Sequence, residues 1–184
     1  MRTSGFTLIE LMIALSIFAF LVFLAGPMYA DFMGNSKIRN AAENTLTGVR
    51  LAQSNAIHSN RPARFVIDPS AGGGWAVFPF NDEANDYAVT AVDSYRWTEG
   101  ATGTTVTPSP SGAVAVTFDG LGRVVLNGYP QVPDGTASLT RVDVTNPSVT
   151  TPRWLSILIS PAGGTTATKL CDPQVFAPDP RSCS

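Results

Sequence analysis

Glu10 is the residue with the most chemical consequence in this chain. Residues 1–30 carry two charged side chains, Arg2 and Glu10, and Leu11 to Ala30 carries none. An acid held in hydrocarbon costs on the order of 2 to 3 kcal/mol at a helix centre and less near an end, so it calls for a cationic partner. Arg2 is the only basic residue nearby. A cut between Gly5 and Phe6 would create another cation, the new amine of Phe6, with Glu10 fifth in the shortened chain; pairing within one chain then competes with pairing to a neighbouring copy. The rest of the repertoire is thin: one histidine, His58, and two cysteines, Cys171 and Cys183. There is no HExxH, CxxC, Walker A or GxSxG pattern, no paired acid and base and no activated nucleophile, so neither an enzyme nor a metal or cofactor site is expected. Gly120-Leu121-Gly122 begins like a nucleotide-binding glycine motif, but Val125 stands where the third glycine belongs and no helix pattern follows; a β-turn is the expectation. His58 closes a helical stretch without a nearby cysteine or acid and reads as structural or solvated.

The elements that position these residues follow from composition. With 184 residues, the chain fits one compact unit plus an appendage. Charged residues make up 14% and hydrophobic residues 44%, too apolar for a disordered chain. The net charge of −2 gives no global positive field toward nucleic acid or an anionic membrane. The apolar excess is concentrated in Phe6–Gly26, whose 21 residues rise roughly 31 Å as a helix, close to the hydrocarbon thickness of a bilayer. Arg2 precedes this run and Asp31 is the first charge after it, which places the N-terminus in the cytoplasm and the remaining chain outside. The alternative is a secretory signal peptide cut near Ala30. The stretch Ala25-Gly26-Pro27-Met28-Tyr29-Ala30 lacks a clean A-x-A site, and Glu10 inside the apolar region argues against it.

Pro27 removes a backbone hydrogen bond and crowds the preceding turn, so it either ends the membrane helix or allows a kink or local melting, with Gly26 loosening the same place. Continuation is expected, because from Asn35 to His58 there is no proline. Leu46, Val49, Ala52, Ala56 and Ile57 recur there at helical spacing, while Lys37, Arg39, Glu43 and Arg50 can remain solvated. Asn60 and Pro62 end this helix. Beyond it lie fifteen of the nineteen threonines, all after residue 88, among valines and Gly/Pro clusters, a strand-and-turn signature. The expected strands are 63–68, 75–80, 87–92, 113–118, 123–126, 139–145, 154–160 and 166–170, with 82–86 and 98–112 as exposed loops. The fold class is therefore α+β: a long N-terminal helix packed on an antiparallel β-rich head.

The run Gly5-Phe6-Thr7-Leu8-Ile9-Glu10, followed by an apolar helix, resembles the class III signal of type IV prepilins and type II secretion pseudopilins. The resemblance implies a pilin-like fold, a leader ending at Gly5, cleavage by a membrane prepilin peptidase, and N-methylation of Phe6. It also implies assembly roles for Glu10 and for the helix-bending Pro27. Two further matches resemble the FimT and GspH branch of that family. Ala52-Gln53-Ser54-Asn55-Ala56-Ile57 is similar to its helix signature, usually Ala-Arg-Ser-Glu-Ala, with Gln53 and Asn55 departing from it. Phe118-Asp119-Gly120-Leu121-Gly122-Arg123 is similar to its Phe-x-x-x-Gly-Arg turn. The organisation expected is a leader at 1–5, a transmembrane and assembly helix at 6–28, an amphipathic continuation at 29–60 and a β-rich periplasmic or extracellular head at 61–184, anchored in a bacterial inner membrane before assembly with other pilins or pseudopilins.

In that compartment disulfides persist, so Cys171 and Cys183 are expected to pair and to pin a tail containing Pro173, Pro178 and Pro180. The tail resembles the pilus side of the branch more than the secretion side. A minor pilin of a type IV pilus, in tip priming or initiation, is the leading expectation, and a type II secretion pseudopilin H is the alternative. DNA-binding FimT proteins carry a Gly-Arg-x-Arg segment before the first tail cysteine, whereas this chain has Thr166-Ala167-Thr168-Lys169. DNA contact by Lys169 and Arg181, joined by Arg123 and Arg153 only if the strands are adjacent, is thus a third reading and not the favoured one.

Overall fold

The computed structural model describes residues 7–162 and 165–183. One helix, α1 (Leu8–Ser59), runs through positions 26 and 27 without a break. Thr7 caps its start, its hydroxyl accepting from the Glu10 N–H at 3.3 Å. Asn60 ends it in the left-handed conformation, and the Arg61 N–H reaches the Ala56 carbonyl, closing the last turn.

The two halves of α1 have different surroundings. From Leu8 to Phe32 the large side chains are exposed all round the helix, including Leu15, Phe18, Phe23 and Tyr29. From Gly34 onward a stripe is buried: Ile38, Ala41, Ala42, Thr45, Leu46, Val49, Ala52 and Ala56. The small residues let the sheets approach the helix backbone closely. Two glycines mark the closest approaches. A Cβ on Gly34 would collide with the Val149 side chain, and one on Gly48 would lie 2.7 Å from the Trp75 ring.

The head is two antiparallel sheets. The first comprises β1 (Ala63–Asp68), β2 (Gly74–Asn81), β3 (Asp86–Tyr87), β4 (Asp93–Arg96), β6 (Ala115–Phe118) and β7 (Val124–Val125), in the order β3-β2-β1-β6-β7 with β4 also paired to β2. The second comprises β5 (Thr105–Ser109), β8 (Arg141–Thr145), β9 (Leu155–Ala162) and β10 (Thr165–Cys171), in the order β10-β9-β8-β5. α1 lies against β1 and β2 of one sheet and β9 and β10 of the other. In β1 strict alternation sends Ala63, Phe65 and Ile67 into the core. Trp75 sits between Phe65 and Tyr95, ring centroids 5.9 and 6.3 Å away, and Trp97 donates its indole N–H to the Asp68 carbonyl at 2.8 Å.

The α+β expectation holds, with local corrections. The stretch 98–112, expected to be loop, contains β5, an edge strand that buries only Val106 and tolerates Pro108 because one side of an edge has no ladder to complete. β4 is a polar strand whose pairing with β2 leaves its periodicity invisible. The expected strand 87–92 shortens to β3, and 123–126 to β7. Ile57, expected on the buried stripe, is 52% exposed, because only a turn covers the helix there.

Candidate assembly site

Glu10 lies in the first turn of α1, where the partial positive charge of the helix end favours an acid, and its side chain is exposed on the apolar half. Among the described residues its carboxylate makes no ion pair. Gly5 and Phe6 lie outside the described residues. At position 27 the backbone is helical.

The far end of α1 joins the two stretches singled out by sequence. Gln53 donates to the Gly122 carbonyl at 2.9 Å, and Gly122, at φ +74°, stands where a Cβ would meet Ile57 at 2.7 Å. Asp119, buried at the foot of this turn, accepts from the Leu121 and Arg123 N–H groups, both at 2.9 Å, and holds the Arg123 guanidinium at 2.7 Å. Burial alone would raise the Asp119 pKa, but the hydrogen bonds from the Arg123 side chain and from the two backbone groups hold it below the ordinary carboxylate value. Gly120-Leu121-Gly122 is thus a side-chain-braced turn closed by the Gly122 N–H to the Asp119 carbonyl, as its lack of a third glycine implied. His58 is exposed.

At the end of the head nearest the apolar half, α1 is clasped by the segment between β8 and β9. The Asp31 carboxylate accepts from the Thr150 N–H at 3.0 Å, and the Asn35 amide oxygen accepts from the Arg153 N–H at 2.8 Å. This clasp was not visible in the sequence; the structure shows Val149 seated against Gly34 beside it. Beside it a groove of about 700 Å³ is bounded by Phe32, Arg39, Arg153, Leu170, Asp172 and Arg181.

Cys171 and Cys183 are bonded, their Cα atoms 5.0 Å apart. The closed tail is held further by the Asp172 N–H to the Arg181 carbonyl at 2.7 Å and by Lys169 Nζ to the Ser182 carbonyl at 2.6 Å. Arg181 forks onto Asp179 at 2.7 and 3.1 Å, and that hydrogen-bonded pairing, with the Arg181 backbone N–H, brings Asp179 down to about 2. Of the cations considered for nucleic acid, Arg153 and Arg181 share the groove. Lys169 is turned onto the tail backbone, and Arg123 stands in the turn at the far end of α1.

The profile described as Type II transport protein GspH matches residues 41–163, two thirds of the chain. The chain belongs to the GspH family. A prokaryotic N-terminal methylation motif covers residues 1–26 of this GspH-family protein, the span that includes Gly5, Phe6 and Glu10. Among solved structures, the family member resembles the type IV minor pilin FimU of Pseudomonas aeruginosa. One crystal form matches at 18% identity and a TM-score of 0.51, covering 83% of this chain and 99% of that one. A second form matches at 17% identity and a TM-score of 0.49, covering 79% and 99%. No curated protein sequence matches the chain. The first of these matches carries the pilin-like fold, a long helix on antiparallel sheets. The two GspH-like sequence stretches are those that lock the helix end to the 118–123 turn, so their common task in this fold is to fix helix against head.

Proposed function

We infer that this GspH-family protein is a minor pilin, a structural subunit that enters a type IV pilus through its N-terminal helix and contributes to its priming or initiation. The observation that carries the reading is the division of α1: an apolar half whose described side chains are exposed up to Ala30, with Glu10 as the one acid of that stretch, continuous with a half fixed to a folded head. The apolar half is long enough to cross a bilayer, and Phe6–Gly26 is assigned to the inner membrane with the N-terminus in the cytoplasm and the head in the periplasm. Residues 1–5 act as the leader, removed after Gly5 by the prepilin peptidase, which then methylates Phe6. Residues 6–28 form the assembly helix, 29–60 its amphipathic continuation, and 61–184 the head.

Glu10 then meets the Phe6 amine of a neighbouring subunit. An acid left unpaired in lipid is costly, so the register that pairs it is favoured, and heterologous head-to-tail contacts that do not close extend into a filament. Pro27 and Gly26 let the helix adapt its path within the bundle. The test is Glu10→Ala in cells. The variant is expected to insert in the membrane and be cleaved, yet to be missing from sheared filaments; normal incorporation would overturn the mechanism. Intact mass of native protein should correspond to a chain beginning at methylated Phe6, and a retained Met1 would refute the processing.

The matching family description favours a second reading, a type II secretion pseudopilin H. Deletion separates the two: loss of surface pili supports the first, and loss of protein secretion with pili intact supports the second. DNA binding through Lys169 and Arg181 is not favoured, since Lys169 is turned onto the Ser182 carbonyl and the segment before Cys171 lacks the arginines that DNA-binding FimT proteins carry there.

A further inference from the structure

We propose that the groove between Phe32, Arg39, Arg153 and Arg181 is a binding site for the phosphate headgroup of an anionic phospholipid in the outer leaflet of the membrane that α1 crosses. The inference rests on the membrane insertion described above and adds to it a ligand that acts before assembly.

The position of the groove carries the argument. Beyond Gly26 the exposed face of α1 stays apolar through Met28, Tyr29, Phe32 and Met33. The one charge in this stretch, Asp31, is taken up by the Thr150 N–H and so belongs to the head. From Leu8 to Met33 the helix rises roughly 39 Å, against about 40 to 45 Å for a bilayer with its headgroup layers. Tyr29 and Phe32 then lie at headgroup depth, where aromatic side chains are favoured. The clasp fixes Arg153 at the level of Asn35, about 3 Å further along the axis. Arg153 is therefore held where lipid phosphates end and water begins.

The chemistry of the groove matches that location. Phe32, Leu155 and Leu170 supply an apolar wall, and three guanidinium groups face one lining carboxylate, Asp172. Arg39 is paired with Glu43 and Arg181 with Asp179, each through part of its fork. Arg153 makes no ion pair among the described residues. Guanidinium presents a planar set of donors suited to two phosphate oxygens at once, and the two neighbouring arginines keep donors beyond those their carboxylates use. A zwitterionic headgroup would bring its own cation into the same cluster, so an anionic lipid is the better complement.

The full chain reconstituted in lipid nanodiscs provides the test. Amide hydrogen exchange over residues 146–153 is compared in discs of phosphatidylcholine alone and discs containing one third phosphatidylglycerol. Exchange is expected to be at least three-fold slower with phosphatidylglycerol, and the difference should collapse at high salt. Arg39→Gln/Arg153→Gln should abolish it, whereas Arg153→Lys should retain most of it; unchanged protection of β1 and β2 shows that each variant is folded. Equal exchange in the two lipids, or protection that survives in the double glutamine variant, would overturn the proposal. So would protection by inorganic phosphate added to phosphatidylcholine discs, which would make this a free-anion site, or protection that follows the number of chains per disc regardless of lipid, which would make a second copy the occupant. Failure of the chain to enter discs of either lipid would overturn the membrane reading itself. Normal filament incorporation in the Glu10 test would leave these exchange rates untouched, so the two ideas fail separately.

Discussion

Replacing Gly48 with alanine sets two effects of opposite sign against each other. Alanine is the better helix former by about 1 kcal/mol, and at an exposed helical site the change would stabilise the protein. Here the new Cβ would lie 2.7 to 2.8 Å from three ring atoms of Trp75. The indole cannot easily retreat: it is 5% exposed and flanked by Phe65 and Tyr95. Overpacking of a filled site typically costs about 1 to 3 kcal/mol, and a rigid ring puts this case at the upper end. The net expectation is a loss of about 1.5 kcal/mol, which for a chain of this size lowers the melting midpoint by roughly 3–6 °C. Thermal unfolding of the full chain in detergent micelles, followed by near-UV circular dichroism, reads this shift. The control is the same substitution in a Trp75→Leu background, where the ring is gone and the propensity gain should show as an equal or higher midpoint relative to Trp75→Leu alone. A midpoint raised by Gly48→Ala in the native background, or an equal loss in both backgrounds, would refute the reasoning that this glycine seats the tryptophan.

Asp119→Ala leaves Arg123 and two backbone N–H groups without their acceptor and is expected to cost roughly 2–3 kcal/mol in urea unfolding; a change under about 0.5 kcal/mol would dismiss the brace. Because the folded Asp119 pKa is depressed, its contribution is fully present above the ordinary carboxylate pKa near 3.8 and is lost as pH falls through the lower folded value, so wild type should lose stability below about pH 4 faster than Asp119→Asn. Asp179, held at about 2, follows the same sign between about pH 4 and pH 2; as it is half-buried and lies within the closed tail, local exchange there should register it while the global midpoint barely moves. Reduction of Cys171–Cys183 removes a closure worth roughly 3 kcal/mol on chain-entropy grounds. It should speed proteolysis between Asp172 and Arg181 while β1 and β2 keep their exchange protection.

The elements that could be read from sequence are those whose reason lies in neighbouring residues. Ala63–Asp68 alternates, so its edges were evident; Asn60 and Pro62 stop the helix by local backbone preference. β5 was hidden because a strand with one inward residue, Val106, and a proline has no period to detect, and its reason for being a strand is β8, more than thirty residues away. Ile57 has the spacing of a core residue but sits past the last turn that the sheets cover. At the candidate site, Glu10 stood out because an acid in an apolar run is costly by itself, and Gly5 through the resemblance of residues 5–10 to the class III signal. The Asp31 clasp left no trace, since its partner lies 119 residues along the chain. The grouping of Arg39, Arg153 and Arg181 was equally hidden: each alone is an ordinary surface cation, and only the return of β9 and the tail to the start of the head gathers them. Arg123, weighed with Lys169, Arg153 and Arg181 for nucleic acid, is drawn away by Asp119 four residues before it.

The seats of Val149 on Gly34 and Trp75 on Gly48 make helix and head turn as one body. Each residue of an α-helix advances the azimuth by about 100° and the height by about 1.5 Å. Adding a single residue between Ala30 and Asp31 would therefore swing the whole head by more than a quarter of a circle relative to Glu10 while lifting it scarcely at all. The compass bearing of the displayed surface is thus written in the count of residues separating an acid at one end from a glycine at the other.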